Sequence, residues 1–371
     1  MKMGLSQKNI KKLDKSGMLE LLLDFPDQCR AAQILAQKAT LLFEKRDFTK
    51  IVFAGMGGSA IGADLIRSYL YFESKIPIVV LREYRLPAYV DEATLVIVSS
   101  YSGNTEETLS AYREAQEKKA TLLAVSSGGM LKDFASRDKV TFVEMPGNLP
   151  PRCSLGYLSI IPLCLLARCG LAPEPSGAIH QMVKTLEDLR NHNLNPGIGQ
   201  KDNIAKSIAL KLYNKLSFIY SSSLSFDVCA IRMRGQIAEN SKALSSSHVF
   251  PEMNHNEIVG WDNPKKLFKN FVAVILRDKG MHPRVAMRMD ITADLIRKEG
   301  VEVIEIWSSG EGLLSRIFSL IYIGDFVSLY LAILYGIDPT PVDRVTYLKE
   351  QLAKNNETQW INPNFQIPNP K

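Results

Sequence analysis

The sequence predicts an α/β protein with two doubly wound parallel-sheet halves and flanking helices. Short aliphatic and β-branched runs at 51–54, 76–81, 95–99, 121–125 and 140–143 alternate with helical patterns at 61–71, 106–119 and 130–136. That alternation marks βαβ units, whose parallel strands are covered on both faces and therefore read as apolar throughout. The alternation restarts at Leu216, with strands at 216–221, 271–277 and 302–307 and helices at 226–244, 283–298 and 314–335. At 371 residues the chain also exceeds the ~250–300 residues beyond which a single core stops growing. The expected division is an N-terminal unit over 1–150 with a leading helix, a helical linker over 151–202, and a C-terminal unit over 203–371 with a terminal helix and tail. The two halves share an order of elements but no residue-level repeat.

The elements follow in order. Pro26 opens a helix expected to run to residue 44 and to deliver the chain to the first strand. Pro146, Pro150 and Pro151 break the alternation, and an apolar helix over 154–168 follows, ended by Gly170 and Pro173. Helices over 177–192 and 204–215 flank an Asn-Pro-Gly loop at Asn195. The run 317–335 is apolar enough to raise a membrane question, but Asp325 sits in its middle, so a buried helix is expected. Pro339 and Pro341 close that half, 345–354 reads as one more short helix, and the Asn- and Pro-rich end from Asn355 reads as irregular.

Composition narrows the class. Hydrophobic content of 46% and charged content of 23% are those of an ordinary globular chain. The net charge of +6 agrees with anionic small molecules, and the basic residues are scattered rather than striped with aromatics, which argues against nucleic acid. Five cysteines without a CxxC pair read as reduced thiols, and the polar start lacks a signal core, so a cytoplasmic protein is expected.

Two loops organise the reading. Gly55-Met-Gly-Gly-Ser-Ala60 follows the first strand, and Ser99-Ser-Tyr-Ser-Gly-Asn-Thr-Glu-Glu-Thr108 follows the third. Each leads into a helix, expected from near Ile61 and from Glu106. Glycine lets the backbone approach a ligand, hydroxyls donate hydrogen bonds, and a helix N-terminus offers free N–H groups and a positive dipole. Two such loops on one edge of a parallel sheet can converge on a single phosphate. The first loop also fits G-x-G-x-x-A, with Glu83 as a candidate ribose ligand, so a dinucleotide-dependent oxidoreductase stands as an alternative. The hydroxyls of Ser99, Ser100, Ser102 and Thr105 favour a phosphate monoester over a hydride carrier.

These loops resemble the sugar isomerase (SIS) domain. Pro151-Arg-Cys-Ser-Leu-Gly-Tyr157, Ala238-Glu-Asn-Ser-Lys242, Met253-Asn-His-Asn-Glu257 and Val345-Thr-Tyr-Leu-Lys349 are similar, in order and approximate spacing, to motifs of the bifunctional phosphoglucose/phosphomannose isomerase family. The resemblance spans nearly the whole chain. It implies two SIS-type halves and interconversion of glucose 6-phosphate or mannose 6-phosphate with fructose 6-phosphate, without metal or cofactor. It further implies that Gly58, Ser59, Ser100, Ser102 and Thr105 hold the sugar phosphate and that Arg152 lies beside the reacting carbons. Glu239 would be the base, and His255 with Lys349 would open the ring. A homodimer in which His255 reaches the partner's site is implied as well.

The chemistry of these residue types agrees. Moving a carbonyl from C1 to C2 requires a carboxylate that takes a proton from one carbon and returns it to the next, and a partly desolvated glutamate suits that task. A fixed guanidinium stabilises the enediolate more than the ground state, since its charge is permanent and it contacts two oxygens at once. Each residue also has a plain structural alternative. Glu239 and Lys349 fit solvated helix faces, and Arg152 could cap the next helix or pair with an acid in the linker. His255 is the histidine set among side chains, Asn254, Asn256 and Glu257, able to orient a ring, whereas His180, His192, His248 and His282 read as surface or turn residues. No two histidines have metal-ligand spacing. Cys153, next to Arg152, is a candidate for oxidation sensitivity. A non-catalytic phosphosugar-binding regulator remains the other alternative, although no helix-turn-helix segment is evident.

Overall fold

Strands buried on both faces have to be apolar through their middles, and those of the first half are, with polar residues only at their ends. The computed structural model of the protein describes residues 4–44 and 46–354; the expectation for the end from Asn355 lies outside them. Three helices, α1 (Gln7–Leu13), α2 (Met18–Leu23) and α3 (Phe25–Lys38), precede the first sheet. The sheet then alternates β1 (Lys50–Ala54), α4 (Gly57–Leu70), β2 (Ile78–Leu81), β3 (Thr94–Ser100), α5 (Glu106–Glu117), β4 (Thr121–Ser126), α6 (Gly129–Arg137) and β5 (Thr141–Glu144). Its order is β2-β1-β3-β4-β5, all parallel. Every residue of β3 and β4 is buried, while the edge strand β2 is half-buried throughout.

Helices α7 (Leu155–Arg168), α8 (Ser176–Leu189) and α9 (Ile204–Leu212) link the halves. The second half runs β6 (Leu216–Ser222), α10 (Asp227–Ser241), β7 (Ser245–Phe250), β8 (Phe271–Arg277), α11 (Pro283–Lys298), β9 (Glu302–Trp307), α12 (Gly312–Tyr335) and α13 (Asp343–Lys354). Its sheet is parallel, in the order β7-β6-β8-β9. Strand β7 was not expected. Its sequence, Ser-Ser-Ser-His-Val-Phe, is polar because it is a half-buried edge strand, and it places His248 within a strand instead of a turn.

The two sheets face a common helical core. Residues of α3, α4, α7, α8, α10 and α12 join the inner faces of β1, β3, β4, β6 and β8 in one continuous hydrophobic cluster. Helices α5 and α6 close the outer face of the first sheet; α11 and the 252–270 segment close that of the second. Helix α12 is the centre: nearly every residue from Leu314 to Leu334 is buried. Each fully buried Leu, Ile or Phe contributes ~1.5–3 kcal/mol. Its apolar length is therefore that of a core helix packed on α8, α9 and α10, as the mid-helix Asp325 indicated.

Several helix boundaries differ from the sequence reading, among them the ends of α8, α9 and α10, which stop at Leu189, Leu212 and Ser241 instead of 192, 215 and 244. Helix α3 ends at Lys38, not near residue 44, and α4 starts at Gly57 instead of Ile61. The start of α4 matters, because it puts Gly57, Gly58 and Ser59 in the first turn of a helix rather than in the loop before it.

Candidate functional site

The site is assembled where the C-terminal edge of the first sheet meets the end of α10. Gly55 brings its loops together: a Cβ there would stand 3.0 Å from the Ser99 carbonyl oxygen and 3.1 Å from the Ser59 Cβ. Gly58 does the same for the linker, since a Cβ would stand 2.9 Å from the Pro151 carbonyl oxygen. All three distances are shorter than ordinary contacts, so a side chain at either position would push the cradle away from β3 or from the residue before Arg152.

The two helix starts are not equivalent as anion sites. Helix α4 has no acidic residue in its first turn and no side-chain cap, so its positive end is free for a ligand. Helix α5 carries Glu106 and Glu107 in its first turn, which oppose an anion there. Its contribution is hydroxyls. Ser100 Oγ lies 2.9 Å from Thr105 Oγ1 and accepts the Gly103 N–H at 3.1 Å, while Ser102 Oγ accepts the Asn104 N–H at 3.2 Å. Ser59, Ser99 and Ser100 are buried, and the Ser99 hydroxyl has no partner among the described residues.

Arg152 comes from the short 3-10 turn Pro151–Cys153, which the proline pair holds against α4. It is 4% exposed, and its guanidinium is spread over neutral acceptors. Nε donates to Asn240 Oδ1 at 2.6 Å, and Nη2 donates to the carbonyls of Pro339 (3.0 Å) and Thr340 (2.8 Å). Neither the following helix nor a linker acid takes it. Nη1 faces Glu239 Oε2 at 3.6 Å, and Glu239, in the last turn of α10, keeps 44% of its side chain exposed. Lys242 closes this end of the helix by donating to the carbonyls of Glu239, Asn240, Asp338 and Pro339. Burial, and after it the charge of Arg152, lowers the affinity of that ammonium for its proton.

A cavity of about 680 Å³ has Gly57, Gly58, Arg152 and Glu239 in its wall, together with Asp64, Arg67, Arg82, Arg232 and Arg234. Asp64 is buried, and its carboxyl is raised by that burial against the pull of Arg82, with which it pairs, and then of Arg67. Four of the five arginines thus have carboxylate partners: Asp64 for Arg82, Asp227 for Arg67, Glu239 for Arg152 and Asp325 for Arg232. The cavity is cationic by the remaining one, a sign that suits a phosphorylated ligand.

A family model for the bacterial phospho-glucose isomerase C-terminal SIS domain matches residues 201–352. A bifunctional phosphoglucose/phosphomannose isomerase of Caldicellulosiruptor bescii is 47% identical over 337 residues, covering 91% of this chain and 99% of that protein. The chain belongs to the bifunctional phosphoglucose/phosphomannose isomerase family. A second member, from Aquifex aeolicus, is 37% identical over 84% of this chain and 95% of its own. Among solved structures, a hypothetical protein from Thermus thermophilus matches with a TM-score of 0.73 at 14% identity over 95% of this chain and 93% of that one. A glucose-6-phosphate isomerase like protein from the same organism matches with a TM-score of 0.62 at 19% identity, over 92% of this chain and 99% of that one. Both show the α/β fold of two parallel sheets with flanking helices.

Not all residues marked by the family resemblance meet within one subunit. Gly58, Arg152 and Glu239 line the cavity; Ser59 in the first turn of α4, Ser100 at the end of β3, and Ser102 and Thr105 before α5 are outside its wall. His255 is exposed on the 3-10 segment Glu252–His255, and Lys349 is exposed on α13; neither lines the cavity. The neighbours expected to orient His255 are engaged elsewhere: Asn254 donates to Thr292, Asn256 to Glu252, and Glu257 accepts from Tyr220 at 2.6 Å. Cys153 is buried with its thiol pushed up to about 12 by desolvation, which keeps it neutral and removes the ground for expecting a reactive thiolate. Glu83 is exposed and follows Arg82, which is committed to Asp64. The acceptors that hold Arg152 were missed by sequence reasoning, although Asn240 stands inside a motif already singled out.

Proposed function

We propose that this chain is a metal-independent aldose-ketose isomerase that interconverts glucose 6-phosphate and mannose 6-phosphate with fructose 6-phosphate through a cis-enediolate. The pairing of Arg152 with Glu239 in one cavity wall, beside the free first turn of α4, carries this reading. Gly58, Ser59, Ser100, Ser102 and Thr105 hold the phosphate. The Glu239 carboxylate takes the C2 proton of the open-chain aldose as the C1 carbonyl becomes an enediolate oxygen, and a proton is delivered from it to C1 as the C2 carbonyl forms and the C2 hydroxyl proton passes to the C1 oxygen. Arg152 Nη1, the corner of the guanidinium turned toward Glu239, stabilises the oxygen that gains charge. His255 and Lys349 open the ring, His255 from the partner of a homodimer, in keeping with its exposure here. The wide cavity lets C2–C3 rotate, so either epimer presents its C2 hydrogen to Glu239. The same reading takes 1–150 and 203–371 as the two SIS units, with 151–202 between them, and places the protein in the cytoplasm in glycolysis and gluconeogenesis.

An enzyme-coupled assay on fructose 6-phosphate with EDTA present tests this. Both aldose 6-phosphates are expected to form at a rate that the chelator leaves unchanged. Binding without turnover would instead mark a phosphosugar-binding regulator, and a requirement for added NAD would mark an oxidoreductase.

A further inference from the structure

We propose that Asp325 and Ser328, one turn apart on α12, are positioning residues for Arg152. The proposal rests on the reading of Arg152 given above and adds how its guanidinium is aimed. Two hydrogen-bonded chains leave Arg152 and end on the same turn of the central helix. From its main chain, the carbonyl accepts Arg232 Nη2 at 3.0 Å, and Arg232 grips the Asp325 carboxylate with two bonds, Nε at 3.0 Å and Nη2 at 2.7 Å. From its side chain, Nε donates to Asn240 Oδ1 at 2.6 Å, Asn240 Nδ2 donates to Ser328 Oγ at 2.9 Å, and that hydroxyl donates to the Asp325 carbonyl at 2.7 Å. All five residues are buried, from 0% exposed for Asn240 and Ser328 to 4% for Arg152 and Arg232.

The geometry of the second chain is forced. Arg152 Nε can only donate, so the oxygen of the Asn240 amide has to face it, and the NH2 group is left for Ser328. Backbone and guanidinium plane are thus fixed separately, with Nη2 occupied by two carbonyls and Nη1 left toward Glu239. The ion pair is not explained by stability. Apart from Ser328, the residues of α12 next to Asp325 are largely apolar, and a buried ion pair is commonly replaceable by packed apolar residues without loss of stability. What an apolar pair cannot do is hold the Arg152 carbonyl.

That difference supplies the test, made on the full chain. Arg232→Met combined with Asp325→Leu keeps the volume and removes the grip on the carbonyl; Ser328→Ala removes only the link between Asn240 and α12. The double variant is expected to keep the thermal midpoint while kcat falls ~10–100-fold, the scale of a small misplacement of a catalytic group. Ser328→Ala, away from the cavity wall that Arg232 shares, is expected to lower kcat several-fold at unchanged KM for fructose 6-phosphate. In the background of Arg152→Lys, neither change is expected to cost more, because both act through the group already altered. Unchanged kcat in the two variants, or full additivity with Arg152→Lys, would overturn the proposal. Where the double variant does not fold, Ser328→Ala decides by the same criteria. Wild-type kcat in Arg152→Lys would instead overturn the role assigned to Arg152 itself, a distinguishable outcome.

Discussion

Glu239→Gln is expected to lower kcat by ~10²–10⁴-fold, the range supplied by a positioned general base, with the affinity for inorganic phosphate unchanged. The amide has the shape of the carboxylate but cannot take the C2 proton. Structural side effects are small by position: Glu239 is nearly half exposed, and its contact with Arg152 is 3.6 Å, longer than a hydrogen bond. Arg152 keeps Asn240, Pro339 and Thr340 as acceptors when that charge is removed. Phosphate inhibition constants report the proposed cradle of Gly58, Ser59, Ser100, Ser102 and Thr105 separately from the chemistry. Retained kcat would show that another acid moves the proton, and loss of both properties together would show a structural role.

Arg152→Lys is expected to lower kcat by ~10²–10³-fold, as for removal of one donor from an oxyanion site. Lysine retains the charge, so the experiment separates charge from geometry. A single ammonium cannot donate to Asn240 on one side and to the carbonyls of Pro339 and Thr340 on the other while still presenting a donor toward Glu239. Stability falls too, by ~1–3 kcal/mol, because buried acceptors are left unpaired. Near-native KM with a large loss in kcat would place Arg152 in the transition state. A rise in KM alone would reduce it to a ground-state ligand.

The first sheet was legible because burial on both faces makes its strands continuous aliphatic runs, and β1, β3 and β4 stand where those runs are. The half-exposed edge strand β7 carries three serines and a histidine, so its pairing with β6 on one side only left no such run. The cradle was legible as glycines and hydroxyls, but the start of α4 was not. Glycine in the first turn reads as loop, and the reason for it, the approach of Pro151 to Gly58, is a contact between segments far apart in sequence.

The same limit governs the site. Arg152 was legible as a candidate, whereas its acceptors lie 88 to 188 residues away. Asp325 was legible as an anomaly, a lone carboxylate in an apolar run; its partner Arg232 is 93 residues distant, on another helix. His255 and Lys349 owe their place to the family motif, since an exposed histidine and an exposed helical lysine carry no local signal of function.

The central claim is that one acidic side chain moves a proton between C1 and C2 of either epimer. Turnover of fructose 6-phosphate in D2O, with the products resolved by NMR, tests it most directly. A proton held on a half-exposed Glu239 exchanges with solvent, so deuterium is expected at C2 of both glucose 6-phosphate and mannose 6-phosphate. Products wholly free of deuterium at C2 would contradict a half-exposed carboxylate as the carrier of the proton, and label in only one epimer would mean that the two are not made at the same base; either result contradicts the account.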